Sequence, residues 1–126
     1  MIVGIGIDLV DLGRMRRAVE RGGERFMRRV YSQAERDADG GAQRVGVLAA
    51  RFAAKEAALK ALGTGWSEGI GWHEVEVAGI AEGRPELRLL GKAGAIARGR
   101  GAVRATVSLH IVGPLAAAAV ILEDGA

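Results

Sequence analysis

Four side chains of the sequence have the chemistry to hold a metal ion together with a phosphorylated substrate. Asp8 follows an apolar run at the N-terminus, while Glu56 and Lys60 lie one helical turn apart and Arg51 precedes them. Carboxylate oxygens are the ligands that Mg²⁺ prefers, and lysine and arginine bind phosphate oxygens. The residues therefore indicate a site for a metal ion and phosphates. Two structural alternatives stay open: Asp8 could cap a helix, and Glu56 with Lys60 could form a stabilising i,i+4 pair.

A second feature is the concentration of arginine in the first half of the chain. The segment from Arg14 to Arg51 contains ten arginines and five acidic residues, although the net charge of the whole chain is only +3. Such a segment is typical of a surface that binds a nucleic acid, an anionic membrane or an acidic protein, and also of a solvated helix face. Only five residues are aromatic, and they are not interleaved with the basic residues as base stacking requires. We therefore expect no nucleic-acid partner.

Composition excludes several kinds of site. The chain has no cysteine, which rules out a disulfide, a zinc-thiolate site and a cysteine nucleophile. No apolar run approaches the ~20 residues of a membrane helix, and the N-terminus lacks the basic start of a signal peptide. Gly4 and Gly6 match the start of a dinucleotide-binding GxGxxG motif, but Leu9 occupies the place of the third glycine. We expect a cytoplasmic protein without a membrane partner.

The elements that would position these residues follow an α+β order, in a single domain over residues 1–126. Helices are predicted mainly in the first half and antiparallel strands mainly in the second, unlike the alternation of a βαβ protein. The predicted strands are Met1–Ile7 (closed by Asp8), Trp72–Val77, Leu87–Leu90, Val103–Leu109 and Leu115–Glu123. The predicted helices begin near Asp11, with an interruption at Gly22-Gly23, and at the capping box Ser32/Glu35, and span Gln43–Leu62 (ended by Gly63) and Gly91–Arg98. A loop is predicted at Asp39-Gly40-Gly41 and a turn at Glu82–Pro85.

The composition also predicts a weak core. The chain has 23 alanines and 20 glycines, whose small side chains bury little apolar area each but allow backbones to approach closely. A chain of this length removes roughly two thirds of its unfolded surface from water. We therefore expect contacts between subunits to add to its stability.

The motifs of the chain resemble those of the holo-[acyl-carrier-protein] synthases, the small single-domain class of 4′-phosphopantetheinyl transferases. The resemblance extends from Met1 to about Glu123 and is specific because two long motifs occur together. These are Gly4-Ile5-Gly6-Ile7-Asp8 with Arg14, and Arg51-Phe52-Ala53-Ala54-Lys55-Glu56-Ala57 with Lys60-Ala61-Leu62-Gly63-Thr64-Gly65. Further matches are Gly83-Arg84-Pro85-Glu86-Leu87, Gly91-Lys92-Ala93 and Val107-Ser108-Leu109.

The resemblance implies an enzyme that moves 4′-phosphopantetheine from coenzyme A to a serine of apo acyl carrier protein and releases adenosine 3′,5′-bisphosphate. Asp8 and Glu56 would bind Mg²⁺ with the diphosphate, and Lys60 would contact the phosphates. Glu56 and a water on the metal are both candidates for the base that accepts the serine proton. The preference between Mg²⁺ and Mn²⁺ stays open, as does the choice between carrier proteins of fatty acid and polyketide synthesis.

The resemblance also implies where the nucleotide, the carrier protein and other subunits bind. Arg51, then Arg44, are expected to bind the 3′-phosphate, and the residues expected near the nucleotide are Gly63, Thr64, Gly65, Arg84 and Pro85. The first helix would dock on the acidic carrier protein through Arg14, with Met15, Arg21, Arg25 and Phe26 as neighbours. The family forms homotrimers with active sites at subunit interfaces, which agrees with the weak core.

One segment departs from the family pattern, which reads Ser-Leu-(Ser/Thr)-His near the C-terminus. Here Ser108-Leu109 leads directly to His110, and Ile111 occupies the place of the histidine. A shift of one residue turns a side chain to the opposite face of a strand, so His110 would reach coenzyme A only if the strand bulges. The departure motivates an alternative function, that of a diverged relative that binds coenzyme A or a carrier protein without catalysis.

Overall fold

Helices occupy most of the first half of the chain and strands most of the second, which confirms the predicted α+β order. The structure is a computed structural model that describes residues 1–38, 44–65 and 68–126. Its elements are β1 (Ile2–Asp11), α1 (Leu12–Val30), α2 (Gln33–Asp37), α3 (Val45–Leu62), a 3₁₀ turn (Trp72–Glu74), β2 (Val75–Ala78), β3 (Glu86–Leu89), α4 (Gly91–Gly99), β4 (Arg104–Val112) and β5 (Leu115–Glu123). The predicted loop at Asp39-Gly40-Gly41 and the predicted helix start at Gln43 lie outside the described residues.

The main sheet is antiparallel with the strand order β1-β5-β4 and is covered by α3 on one face. Successive side chains of a strand point to opposite faces, and the residues of β5 that face α3 are buried: Ala116, Ala118, Val120 and Leu122. On the other face, Ile5, Ile7 and Leu9 of β1 are each at least 60% exposed. The sheet is therefore packed on one side and carries uncovered aliphatic side chains on the other.

Helix α3 lies at the centre of the molecule and touches the sheet more closely than an ordinary helix could. A Cβ added at Gly6 would lie 1.9 Å from the carbonyl oxygen of Ala57, and one added at Gly4 would lie 2.2 Å from that of Ala61. Residues on nearly every side of this helix are buried. The reason is that α3 also packs against α1, the 3₁₀ turn and β2, and its alanines let all of them approach.

Strands β2 and β3 form a separate two-stranded hairpin. The strand predicted at Trp72–Val77 begins only at Val75, since the chain first makes the 3₁₀ turn. The carboxylate of Glu74 explains that turn, because it accepts hydrogen bonds from the Gly71 amide at 2.8 Å and from the first amides of α4. The residue therefore ties the turn to α4 instead of continuing a strand.

Local signals in the sequence located most helix boundaries. The backbone of α1 is kinked at Gly23 (φ 52°), Ser32 and Glu35 form the predicted capping box, and Gly63 ends α3 in the left-handed conformation (φ 77°). The predicted end of β1 was wrong: the strand does not close at Asp8 but pairs with β5 as far as Asp11. Asp11 is consequently the N-cap of α1, and its carboxylate accepts from the Arg14 amide at 3.0 Å. None of the described helices is both long enough and apolar enough to cross a membrane.

Candidate active site

The close contact between β1 and α3 brings three of the predicted site residues together. Asp8 lies in β1 opposite Ala118 of β5, on the face covered by α3. The Lys60 ammonium donates to Asp8 Oδ1 at 2.9 Å and to the carbonyl oxygen of Ile7 at 3.0 Å. Glu56, one turn earlier on α3, lines the same cavity as Asp8. Asp8 is 19% exposed and Lys60 is 55% exposed, so both charged groups can reach a ligand.

This cavity of about 390 Å³ is walled on its other side by α1. Four residues of α1 that the sequence predicted as partner contacts line this cavity, and they differ in how far they are exposed to solvent. Arg14 and Arg21 are exposed, whereas Met15 is buried and Phe26 is half-buried. The fifth, Arg25, is exposed on the same helix but outside the cavity wall. The cavity is therefore lined by carboxylates from β1 and α3 and by arginines from α1, an arrangement that suits an anionic ligand held partly through a cation.

The donor set fits a magnesium ion that shares its coordination with the substrate. Within residues 1–38, 44–65 and 68–126, no group of three or more His, Cys, Asp or Glu side chains could hold a metal ion by itself. Asp8 and Glu56 therefore supply only two carboxylates. Mg²⁺ is usually bound in this way, through one or two carboxylates plus water and substrate phosphates, because it gives up its own water reluctantly.

Sequence reasoning missed several residues of the cavity. Arg17 and Phe52 line it, as does the N-cap residue Asp11. The spacing of Arg17 from Arg14 and Arg21 was a usable signal, because residues three and four apart share one face of a helix. Phe52 lies against Trp72 with ring centroids 4.9 Å apart, a tertiary contact that no local signal shows.

The arginine expected to bind the 3′-phosphate faces a different cavity. Arg51 is 4% exposed, and its Nε donates to the carbonyl oxygen of Val77 at 3.4 Å. It lines a smaller cavity of about 130 Å³ together with Glu76, Arg88 and the backbone of residues 78–82. The structure therefore places Arg51 beside the β2–β3 hairpin and away from the wall formed by α1.

The other predicted nucleotide contacts lie on three separate loops and ends. Arg84 is exposed and Pro85 half-buried in the tight turn between β2 and β3, where the Arg84 amide donates to the Gly79 carbonyl oxygen at 2.9 Å. Gly63, Thr64 and Gly65 follow the last turn of α3, one turn beyond Lys60. A Cβ at Gly63 would lie 3.2 Å from an Nη atom of Arg100, so this arginine, which the sequence did not single out, lies beside the end of α3. Arg44 is exposed at the opposite end of α3, as its N-cap residue.

Strand β4 contains no bulge that would correct the shift at His110. The ladder between β4 and β5 runs without interruption from Arg104 to Val112. His110 pairs with Ala117 and belongs to the open face of the sheet, whereas Ile111 faces α3, with its Cδ1 3.2 Å from a Cβ added at Gly46. Within one chain, His110 and Asp8 are therefore on opposite faces of the sheet.

A buried ion pair lies beside the smaller cavity, which Glu35 lines together with Arg51. Lys55 is completely buried, and its ammonium lies 2.8 Å from Glu35 Oε1. Burial lowers the pKa of Lys55 below its ordinary value, while the Glu35 carboxylate opposes that shift. Burial likewise raises the pKa of Tyr31, whose ring centroid is 5.9 Å from the Lys55 ammonium. In the sequence Lys55 is only part of the family motif, and the structure shows that its ammonium points into the protein.

Known proteins match this fold and these motifs over nearly the whole chain. A model of the 4′-phosphopantetheinyl transferase superfamily matches residues 4–108. A holo-[acyl-carrier-protein] synthase of Koribacter versatilis is 46% identical over 125 residues, which cover 98% of this chain and 100% of that relative. The crystal structure of the Neisseria meningitidis holo-[acyl-carrier-protein] synthase has a TM-score of 0.88 at 32% identity and covers 98% of this chain and 100% of its own. The Bacillus anthracis synthase, solved in complex with CoA (3′,5′-ADP), has a TM-score of 0.79 at 31% identity, with 99% of each chain covered.

Proposed function

Because the chain belongs to the 4′-phosphopantetheinyl transferase superfamily, we propose that it is a holo-[acyl-carrier-protein] synthase. It transfers 4′-phosphopantetheine from coenzyme A to a serine hydroxyl of apo acyl carrier protein. The family membership confirms the resemblance in the motifs, and one observation carries the function to this chain. That observation is a cavity lined by Asp8, which Lys60 contacts, by Glu56 and by the arginine-rich helix α1.

The reaction replaces the phosphoanhydride bond of coenzyme A with a phosphate ester bond to serine. The serine oxygen forms a bond to the phosphorus that carries the pantetheine arm, the bond from that phosphorus to the bridging oxygen breaks, and adenosine 3′,5′-bisphosphate leaves. Little covalent chemistry is required of the protein, so that positioning and charge neutralisation provide most of the rate. The serine proton passes to a base, for which Glu56 is the candidate among the side chains of the cavity.

Each side chain of the cluster has a distinct part in this proposal. Asp8 and Glu56 would hold Mg²⁺, which when bound supplies positive charge to the diphosphate oxygens. Lys60 is exposed and anchored to Asp8, so its ammonium can turn to a phosphate oxygen without a large movement. Asp8 is held in a strand and Glu56 in a buried helix, which keeps both carboxylates in place before the substrate arrives.

Nucleotide binding in this proposal is divided between the Gly63-Thr64-Gly65 end of α3 and the hairpin. Arg51 would bind the 3′-phosphate at the smaller cavity, where its guanidinium lies beside the backbone of residues 78–82. Arg44, at the N-terminus of α3, is the second candidate. Arg84 and Pro85 would contact the nucleotide from the hairpin turn.

The carrier protein would dock on α1. Arg14, Arg17 and Arg21 form one basic face of this helix and also border the cavity, so that a bound acidic protein could present its serine directly to the carboxylates. Charges at the rim of an interface raise the rate of association and make it sensitive to salt. Met15, Phe26 and Arg25 would complete the contact.

The open face of the sheet supports the homotrimer expected from the family resemblance. Ile5, Ile7 and Leu9 leave a row of aliphatic side chains uncovered on a protein with a small core, and such patches usually mark interaction surfaces. His110 lies on the same face, so its contact with coenzyme A would have to involve a neighbouring subunit. The cytoplasmic location and the role in fatty acid biosynthesis expected from the sequence complete the proposal.

Mass spectrometry tests the function directly. An apo acyl carrier protein incubated with this protein, coenzyme A and Mg²⁺ should gain one phosphopantetheine group, and EDTA should abolish the gain. Asp8→Ala and Glu56→Ala should each abolish it as well, while Asp37→Ala, which removes an exposed carboxylate of α2, should not. Binding of coenzyme A without transfer to any of a panel of carrier proteins would instead favour a non-catalytic relative.

A further inference from the structure

The buried ammonium of Lys55 joins three elements around the middle of α3. Besides Glu35 Oε1 at 2.8 Å, it donates to the carbonyl oxygen of Trp72 at 3.0 Å and to that of Val75. An ammonium group has three donors, and each of these has an acceptor here. The side chain therefore fixes α3 to α2, to the 3₁₀ turn and to the start of β2.

Glu35 is held as firmly as its partner. Its Oε1 accepts from the Ser32 amide at 2.9 Å, and its Oε2 accepts from the Val77 amide at 2.9 Å. The carboxylate is thus the capping-box group of α2 and also a fixed acceptor at the edge of β2. Because both ions are held by the surrounding backbone, a rotation of α3 about its axis would break several hydrogen bonds at once.

The closest contact of α3 with the sheet, that with β1, adds little restraint through interlocking side chains. It is formed by Gly4 and Gly6 of β1 against Ala57 and Ala61 of α3, with backbone atoms almost touching. Such small residues allow close approach but have no side chains that interlock and oppose sliding or rotation. On that side Lys60 ties the helix to Asp8 and Ile7 of β1, but its side chain is 55% exposed, whereas the Lys55–Glu35 pair is shielded from solvent.

We propose that the buried Lys55–Glu35 pair is a positioning device that sets the rotation of α3 and thereby places the Glu56 carboxylate opposite Asp8. Lys55 immediately precedes Glu56, and the two side chains leave the helix about 100° apart. Helix side chains end roughly 5–6 Å from the axis, so a rotation of about 10° would move the Glu56 carboxylate by about 1 Å. An error of about 1 Å in a reacting group can cost about a hundredfold in rate. The inference rests on the proposed function, since it assumes that Glu56 is a metal ligand.

Replacing both charges at once separates positioning from stability. Loss of Lys55 alone would leave Glu35 buried without its cation, which is strongly destabilising, whereas removal of both charges is often tolerated. The test variant is therefore Lys55→Met with Glu35→Gln, which retains the volume and one acceptor oxygen. Val120→Ala, a fully buried change in β5, serves as a control for general loss of stability, and Lys92→Met as a control for loss of an exposed lysine.

The measurement is Mn²⁺ affinity in the presence of coenzyme A, by electron paramagnetic resonance, alongside circular dichroism and transfer kinetics. We expect the paired variant to keep its helical signal, to bind Mn²⁺ at least about tenfold more weakly and to lose kcat by about a hundredfold. In a Glu56→Gln background the same pair of changes should lower Mn²⁺ affinity less than about twofold, because its target is already absent. Both controls should bind Mn²⁺ like the wild type.

Several results would overturn the inference. Normal Mn²⁺ affinity in the paired variant, a loss no greater than that of Val120→Ala, or an equal loss in the Glu56→Gln background would each do so. If the paired variant does not fold, the single change Glu35→Gln tests the inference, since Lys55 then keeps two carbonyl acceptors. An Mn²⁺ affinity about threefold below wild type would support the inference, and an unchanged affinity would overturn it. A wild-type protein that binds no Mn²⁺ with coenzyme A would overturn the proposed metal site itself, and this inference with it.

Discussion

The substitution Gly6→Ala tests whether backbone contact between β1 and α3 is what assembles the site. Gly6 is buried, and its φ lies outside the left-handed range, so alanine is compatible with the backbone conformation. The obstacle is steric: the added Cβ would lie 1.9 Å from the Ala57 carbonyl oxygen and 2.8 Å from the Ala61 amide nitrogen. Both of these atoms belong to the helix backbone, so no side-chain rotation can relieve the clash.

The size of the effect follows from these distances. Ordinary contact begins near 3.4 Å, so β1 and α3 must move about 1.5 Å apart at this point. Asp8 is two residues further along the same strand, and its 2.9 Å contact with Lys60 would be stretched by a similar amount. We expect a loss of about 1–3 kcal/mol in the free energy of unfolding, as for other overpacked cores. The rate of transfer should fall by about a hundredfold or more, because Asp8 moves away from the helix that bears Glu56.

Urea denaturation and the mass-spectrometric transfer assay measure the two effects on the same samples. Gly99→Ala is the matched control, because it lies at the end of α4 with no atom within 4 Å of an added Cβ. It should leave transfer unchanged and alter stability by less than about 1 kcal/mol. The reasoning would be refuted if Gly6→Ala had the stability and transfer rate of the wild type, or if Gly99→Ala were equally damaging.

Three further outcomes are expected. Arg14→Glu should weaken carrier-protein binding by at least tenfold in surface plasmon resonance while coenzyme A affinity stays constant, and equal losses would remove Arg14 from the docking surface. In size-exclusion chromatography with light scattering, the wild type should have the mass of the proposed homotrimer and Ile7→Glu a smaller mass, whereas equal masses would contradict burial of the open sheet face. Hydrogen bonds from the Gly71 amide and from the first amides of α4 lower the pKa of Glu74 in the folded protein. The ionised carboxylate therefore stabilises the fold at pH values above its unfolded-state pKa of 4.5, and this contribution is lost as the pH falls through its folded-state pKa. Glu74→Gln should therefore reduce stability at neutral pH and make its decline in acid shallower, as urea midpoints at a series of pH values would reveal.

The sequence predicted the helices better than the site that they build. The kink at Gly23, the capping box of Ser32 and Glu35 and the end of α3 at Gly63 were all confirmed. Each depends on one residue and its near neighbours, through a positive φ or a side chain that bonds a backbone amide close by. Such signals are local, so they do not depend on how the rest of the chain folds.

Long-range contacts account for the errors. Asp8 was expected to close β1, but pairing with β5, more than a hundred residues away, extends that strand to Asp11. The sequence shows only the charge of Lys55 within a family motif, whereas the structure shows Glu35 and two carbonyl oxygens around it. Which side of a helix faces solvent is decided by what packs on it, and an alanine-rich helix has too little amphipathic pattern to indicate that side.

The amino-acid sequence by itself determined the types of residue available, the family to which the chain belongs and the exclusion of thiol chemistry. It did so because motifs and composition can be recognised without knowing which residues lie close together in space. Only the tertiary structure decided that Asp8 meets Lys60, that Arg51 faces a second cavity and that His110 turns to the open face of the sheet. Those outcomes depend on strand register and on how closely β1 approaches α3. Both are properties of residues far apart in the chain, and both follow from the glycines and alanines that let the two backbones touch.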